Sequence, residues 1–384
     1  MTIEYTSSWM NEELNILRSS ARKFLEKEFT PHIDSWIEQK CVDKSAWLKA
    51  GSAGLLCASI PDQYGGGGGT IAHETVILEE LERCGIGIHF GNTIHSGIVA
   101  HYILAYGSEE QRRRWLPRMA SGELIGALAM TEPGAGSDLK SIRTKAVRTA
   151  SGYVLNGQKT FITNGQAAGL IVVAVKTNLE AGAKGVSLIV VETENCKGFR
   201  RGRNLKKIGM QASDTAELFF DDALVPLENL LGAEEDRGFA QMMAQLPIER
   251  LLIAISAVAA IERAVEITSA YVKEREAFGR KLLDFQNTSF KLAERATEAL
   301  IARVFIDYCI QRALAGDLDT VTASMAKWWL TDKQSETADV CLQMFGGYGY
   351  MEEYPISRMY VDSRVQRIYG GTNEIMKVLI ARHL

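Results

Sequence analysis

The segment from Met130 to Asp138, MTEPGAGSD, has residue types that suit ligand binding more than core packing. It combines two glycines, a proline and the hydroxyl groups of Thr131 and Ser137. In such a turn several backbone N–H groups can point outward together, which suits an anionic or hydrogen-bonding ligand. An ordinary loop between two domains is the alternative, because turns use the same residue types.

A second candidate, Phe161-Ile-Thr-Asn-Gly165, closes a predicted strand. Phe161 and Thr163 are two positions apart, so we expect both side chains on the same side of that strand. There they could stack on a planar ring and hydrogen-bond to it. Ordinary strand composition is the alternative, because aromatic residues and threonine are common in strands.

A third candidate is Arg275-Glu-Ala-Phe-Gly-Arg280, with Gln286 just beyond it. The segment follows a long predicted helix, and Gly279 is expected to be the glycine that ends it. An arginine beside Phe278 suits a phosphate and a base. A cationic helix C-terminus that stabilises the helix dipole explains the same residues equally well.

Two glycine-rich breaks interrupt the last third of the chain. Gln343-Met-Phe-Gly-Gly347 ends one predicted helix, and Gly370-Gly371 comes just before the final one, which begins near Thr372. The second break brings two bare backbone amides next to a helix N-terminus, where negative charge is favoured.

The elements that must position these segments change character twice along the chain. Helical spacing of apolar residues covers 11–28 and 73–84, and Ser108 with Gln111 is predicted to form a capping box. β-Branched residues and Asn-Gly turns mark 127–225 as a small β domain. Long amphipathic helices return after about residue 238, at 251–276, 285–314 and 322–345.

This order predicts a mainly α fold with a central β domain. The expected domains are an N-terminal helical domain (1–127), a middle β-barrel-like domain (128–232) and a C-terminal helical bundle (233–384). Strands do not alternate with helices, which argues against a doubly wound sheet. Neither G-x-G-x-x-G nor the P-loop spacing occurs.

Composition excludes several protein classes. The 384 residues include 43 basic and 47 acidic residues, and this balance disfavours a strongly basic nucleic-acid-binding protein. No apolar run reaches the ~18 residues of a membrane span, and the first residues lack a secretory signal. Six cysteines without zinc spacing predict no metal site and a reducing compartment. We therefore expect a bacterial cytoplasmic protein, or a processed mitochondrial matrix form.

Six segments in register closely resemble the acyl-CoA dehydrogenase family: TEPGAGSD, FITNG, IGMQASDTAELFFDD, RLLIA with YVKEREAFG, QMFGGYGY and YGGTNEIMKVLIAR. The resemblance implies a helical domain, a β domain and a C-terminal four-helix bundle. It also implies FAD, an acyl-CoA substrate, an electron-transfer flavoprotein as electron acceptor, and a homotetramer built as a dimer of dimers.

Residue roles follow from the resemblance, position by position. FAD is expected to contact Met130, Thr131, Gly136, Ser137, Phe161, Ile162, Thr163, Arg275, Phe278, Gln286, Gln343, Gly346, Gly347, Thr372, Asn373 and Glu374. Those from Arg275 to Gly347 are expected to act across a subunit boundary. Substrate contacts are expected from Ser137, Arg250, Gly370 and Gly371.

The catalytic base is expected away from its commonest position in the family. Many relatives carry it as the glutamate of a Tyr-Glu-Gly-Thr motif, but this chain has Gly370 there, which has no proton acceptor. Long-chain and isovaleryl-type relatives place the glutamate on the long C-terminal helix, where this chain has Glu249. Without the family, an acid in the first helical turn that stabilises the dipole is the alternative.

The resemblance thus implies α,β-dehydrogenation of a fatty or branched acyl-CoA to the trans-2-enoyl-CoA. Glu249 would take the α proton, and flavin N5 would accept the β hydride. Two alternatives stay open: another flavin enzyme of the same fold, either an oxidase or a monooxygenase, and a helical scaffold that binds no FAD.

Overall fold

The computed structural model describes residues 5–384, so the first four residues of the expected N-terminal domain lie outside it. Six α-helices open the described part of the chain. The side chain of Asn11 caps the first by accepting from the Leu14 N–H, and the predicted capping box of Ser108 and Gln111 is confirmed. These helices are α1 Glu12–Glu28, α2 Ile33–Gln39, α3 Lys44–Ser52, α4 Ile71–Arg83, α5 Ala100–Tyr106 and α6 Glu109–Ala120.

A curled seven-stranded sheet follows. Its order is β1-β4-β2-β3-β7-β6, with β5 paired to β4, and most neighbours are antiparallel. The strands are β1 Gly126–Ala129, β2 Lys145–Thr149, β3 Gly152–Thr163, β4 Leu170–Lys176, β5 Val186–Glu192, β6 Phe199–Asn204 and β7 Thr215–Val225.

Five helices complete the chain, and the fold class predicted from the sequence is confirmed. They are α7 Gly238–Glu274, α8 Gln286–Leu314, α9 Thr320–Phe345, α10 Pro355–Gln366 and α11 Asn373–Ala381. The predicted helix at 251–276 overlaps the longer α7, which begins before it, continues through Pro247 and ends at Glu274. Helix α10 is not predicted from the sequence.

The prediction that Gly279 ends a helix is wrong. Helix α7 ends at Glu274, and a two-residue hairpin of β8 (Glu276–Ala277) and β9 (Arg280–Lys281) follows. Phe278 and Gly279 form its turn, both with positive φ (53° and 75°). Such a turn needs two left-handed residues, which explains the glycine.

Both faces of strand β4 are buried, one against the helices and the other within the sheet. Leu170, Val172 and Ala174 pack in the core that contains the N-terminal helices and α7, and the alternate residues Ile171 and Val173 pack in a separate core within the sheet. Within residues 5–384 no helix is both long enough and apolar enough to cross a membrane, and no cluster of His, Cys, Asp or Glu could hold a metal ion.

Candidate active site

One cavity of about 240 Å³ brings the predicted site residues together. It is lined by the expected base Glu249, by the expected FAD contacts Phe161 and Thr163, and by the second glycine break. Its walls come from the helical segment before α5, the end of β1 with the loop after it, the end of β3, α7, and the turn at 369–371. Residues that are far apart in sequence thus face a common space. A larger cavity, beside α1, α4 and α8, is lined largely by paired charges such as Arg303 with Glu79, and none of the predicted site residues lines it.

Glu249 lies in the interior of α7, with only 7% of its surface exposed. Burial raises the pKa of its carboxyl to about 7, although the Tyr102 hydroxyl donates a 2.8 Å hydrogen bond to Oε1 that opposes this rise. Because α7 begins at Gly238, Glu249 is not in the first helical turn, and the dipole interpretation is wrong. A carboxyl with a pKa near neutrality can both accept and release a proton at physiological pH.

The Gly370–Gly371 turn lines the same cavity as Glu249. Both glycines have left-handed φ values, 64° and 91°. A Cβ atom at Gly370 would lie 2.4 Å from Cδ1 of Ile253, so Ile253 occupies the space that a side chain there would need.

Arg250, expected at the substrate, is not among the residues that line the cavity. Its Nε donates to the carbonyl oxygen of Gly370 and its Nη1 to Oγ of Ser324, each at 3.5 Å. The side chain is buried, and these two acceptors hold it behind the turn. It supports the cavity wall and does not form it.

Phe161, Ile162 and Thr163 all line the cavity, although they are consecutive in β3. Simple alternation would have brought only Phe161 and Thr163 to one side. A register shift between Lys159 and Ile162 and a left-handed φ of 59° at Phe161 break the alternation. Phe161 is 67% exposed, and the Thr163 hydroxyl makes no hydrogen bond within the described residues.

Met130, Thr131 and Gly136 also line the cavity, whereas Ser137 is exposed and does not. In the described part of the chain, the backbone N–H groups of Thr131, Gly136 and Ser137 have no protein acceptor. At Gly136 an added Cβ would meet nothing within 4 Å. The loop therefore presents free donors beside open space.

A buried ion pair that the sequence analysis missed holds this loop from behind. Lys159 donates to the Met130 carbonyl oxygen at 3.0 Å and to Glu132 Oε1 at 2.8 Å, and burial lowers its pKa to about 8. Glu132 also accepts from the backbone N–H groups of Arg143 and Thr144. The loop is thus fixed by an interaction between β3 and the segment after β1.

The remaining predicted FAD contacts do not line the cavity. Those near the ends of α7 and α9 are exposed: the Arg275 guanidinium lies 5.5 Å from the Tyr348 ring centroid, and Phe278 is 96% exposed. Gln286, Gln343, Gly346 and Gly347 are also exposed.

At the start of α11, Thr372 caps the helix by accepting from the Ile375 N–H, and Glu374 is exposed. Asn373 is buried, and its amide hydrogen-bonds to Lys327, Thr331, Asp332 and the Trp328 carbonyl of α9. The Asn373 side chain is therefore already hydrogen-bonded to α9, although the resemblance implied a contact with FAD.

Comparisons with known proteins agree on one family. Family models described as acyl-CoA dehydrogenase N-terminal, middle and C-terminal domains match residues 11–123, 127–223 and 236–384. The mitochondrial long-chain specific acyl-CoA dehydrogenase of Mus musculus is 48% identical over 97% of this chain and 87% of its own length.

Solved structures give the same result. The acyl-CoA dehydrogenase from Geobacillus kaustophilus has a TM-score of 0.94 and 49% identity, covering 98% of this chain and 99% of its own. A glutaryl-CoA dehydrogenase from Mycobacterium smegmatis in complex with FADH2 has a TM-score of 0.91 and 27% identity, covering 97% and 95%.

Proposed function

The chain belongs to the acyl-CoA dehydrogenase family, and we propose that it converts a fatty or branched acyl-CoA to the trans-2-enoyl-CoA with FAD as its cofactor. One observation carries the proposal: the buried Glu249 carboxyl, with a pKa of about 7, lines the same cavity as the Gly370–Gly371 turn. A proton acceptor and backbone hydrogen-bond donors thus face one space.

The proposed base is Glu249, acting on the α carbon of the thioester. An α C–H is a poor acid, so its removal needs both a placed carboxylate and hydrogen bonds to the thioester oxygen, on which negative charge develops. The backbone N–H groups of the Gly370–Gly371 turn are candidate donors to that oxygen. Tyr102 holds the carboxyl in place and, as a hydrogen-bond donor, keeps its pKa from rising further.

The cavity residues fit the isoalloxazine ring of FAD. Phe161 offers a largely exposed aromatic face, and the Thr131 and Thr163 hydroxyls and the Gly136 N–H are free of protein partners in the described chain. When bound, FAD supplies a two-electron acceptor for the hydride that leaves the β carbon. These residues would hold and orient the ring and exclude water from it.

The exposed group at Arg275, Phe278, Gln286 and the Gln343–Gly347 turn would contact FAD of a neighbouring subunit in a homotetramer. The Arg275 side chain pairs with no acid among residues 5–384 and lies beside an aromatic ring, which suits a phosphate and a base. Similarity to the long-chain specific enzyme of Mus musculus supports a long-chain substrate for this chain. An electron-transfer flavoprotein is the proposed electron acceptor, as the family resemblance implies. An oxidase is the competing function. It predicts that oxygen supports turnover as well as an artificial acceptor does.

The variant Glu249→Gln tests the proposed base. We expect it to keep its FAD, measured by absorbance, and to lose about 10²- to 10⁴-fold of acyl-CoA-dependent dye reduction, because the amide cannot accept the α proton. The control is Glu266→Gln, which makes the same change at an exposed position of the same helix. Comparable activity of the two variants would contradict the assignment.

A further inference from the structure

The carbonyl groups of the Gly370–Gly371 turn are both held from the protein interior. Gly370 O accepts from Arg250 Nε at 3.5 Å, and Gly371 O accepts from Lys327 Nζ at 2.7 Å. Both cationic side chains are buried, with 4% and 0% of their surface exposed. One comes from α7 and the other from α9, so two helices fix the turn.

The opposite sides of these peptide units are free. Within residues 5–384 the backbone N–H groups of Gly370, Gly371 and Thr372 donate to no protein acceptor. In a trans peptide unit the C=O and the next N–H point in opposite directions. Holding the carbonyls toward the interior therefore points the N–H groups of Gly371 and Thr372 away from it.

Without an external restraint this turn would be easy to invert. Glycine adopts positive and negative φ about equally well, so the peptide unit between Gly370 and Gly371 can flip at little energetic cost unless Arg250 holds its carbonyl and Lys327 anchors the following unit. A flip would put a carbonyl oxygen at the cavity wall in place of the N–H group. A carbonyl oxygen there would repel an electron-rich ligand atom, whereas an N–H group would bind it.

Lys327 has no carboxylate bonded to its amine in the described residues; its acceptors are Gly371 O and, at 2.9 Å, Oδ1 of Asn373. Burial, and secondarily Arg250, lower its pKa to about 7. Burying an amine without an ion pair is unfavourable. A purely structural explanation of the buried Lys327 is that it links α9 to α11 through Asn373. The experiment below separates this explanation from a role of Lys327 in ligand binding.

We propose that Lys327 is a positioning residue: together with Arg250 it locks the Gly370–Gly371 turn so that its backbone N–H groups meet the thioester oxygen of the acyl-CoA. The inference rests on the proposed function, because it assigns the ligand atom that the turn recognises. Lys327 itself does not line the cavity and acts only through the turn.

The test compares two ligands that differ in a single oxygen. A 3-thiaacyl-CoA is a thioester that resists dehydrogenation because sulfur replaces the β carbon. The matched S-(3-thiaalkyl)-CoA thioether lacks the carbonyl oxygen. Calorimetry measures both dissociation constants for the FAD-loaded wild type, for Lys327→Met, for Lys327→Gln and for the control Lys333→Met, whose amine on the same helix instead pairs with Glu298 and Glu336.

For Lys327→Met we expect the thioester to bind about tenfold more weakly, as for one lost hydrogen bond, and the thioether to bind within about twofold of wild type. Lys327→Gln keeps a shorter donor and should fall between the two. It also carries the test if Lys327→Met does not fold. Lys333→Met should match wild type for both ligands.

Two results would overturn the inference in distinguishable ways. If Lys327 variants weaken both ligands equally, Lys327 is a structural fastener and only this inference fails. If wild type binds the thioester no more tightly than the thioether and shows no acyl-CoA-dependent turnover, the proposed function fails with it.

Discussion

Moving the base across the cavity tests whether Ile253 and Gly370 compete for one space. In a Glu249→Gly background, Gly370→Glu returns a carboxyl to the cavity from the turn at 369–371. A Cβ atom there would approach Ile253 Cδ1 to 2.4 Å. We expect some recovered turnover in this double variant, and more when Ile253→Val is added, because valine lacks the clashing Cδ1 atom.

The magnitude follows from which atoms collide. An L-residue with the left-handed φ of Gly370 costs about 1–2 kcal/mol, whatever residue stands at 253. The clash involves the free end of Ile253, so a shift off its preferred rotamer relieves it for about 0.5–1.5 kcal/mol. A rigid overpacked core would cost more, about 1–3 kcal/mol. Gly370→Glu should therefore destabilise the protein by about 1 kcal/mol less when Ile253→Val is present.

Two measurements check this coupling. Thermal unfolding of the FAD-loaded proteins should show a drop in melting temperature on Gly370→Glu that is about 2 °C smaller in the Ile253→Val background. Dye reduction with an acyl-CoA panel should show the larger recovery of turnover in the triple variant. Equal drops in melting temperature in both backgrounds would refute the steric reasoning, because the two sites would then be independent.

Three further predictions concern the groups behind the cavity. Tyr102→Phe removes the hydrogen bond that lowers the pKa of Glu249, so the rise of kcat/KM with pH should move to higher pH. Burial raises the pKa of Glu249 in the folded protein to about 7, so this carboxyl destabilises the fold increasingly as the pH rises from about 4.5 to 7. Glu249→Gln should therefore raise the melting temperature at pH 8 but not at pH 4. The corresponding gain in unfolding free energy at pH 8 is at most about 3 kcal/mol. Lys159→Met leaves the buried Glu132 without its partner, which should cost about 3–5 kcal/mol and reduce FAD retention measured by absorbance, and adding Glu132→Gln should restore part of both.

The order of the helices and strands can be predicted from the sequence because it depends on patterns of neighbouring residues. Apolar periodicity located α1 and α8, and the capping box at Ser108 is a four-residue signal. Pro247 hid the true start of α7, since proline usually ends a helix, and this error made Glu249 look like a first-turn residue. Local rules fail where tertiary packing overrides them.

The contacts that tune the site could not be predicted in this way. Tyr102 lies 147 positions before Glu249, and Lys327 lies 44 positions before Gly371. No spacing rule joins residues so far apart, because only the packing of helices brings them together. One weak signal existed for Lys327: it is a lysine within the otherwise apolar stretch Met325–Leu330, and a lysine on a buried face needs a partner.

Three residues together determine where the catalytic base can lie: Glu249, Ile253 and Gly370. Glu249 and Ile253 are four residues apart on α7, so they share a helix face, and both line the cavity. Gly370 leaves the space that Ile253 fills. A carboxylate at position 370 is therefore favoured by a shorter side chain at 253 and by the loss of Glu249, since two carboxylates in one buried cavity would repel each other. In this fold, a glutamate at 370 should accompany a residue at 253 that lacks a δ carbon.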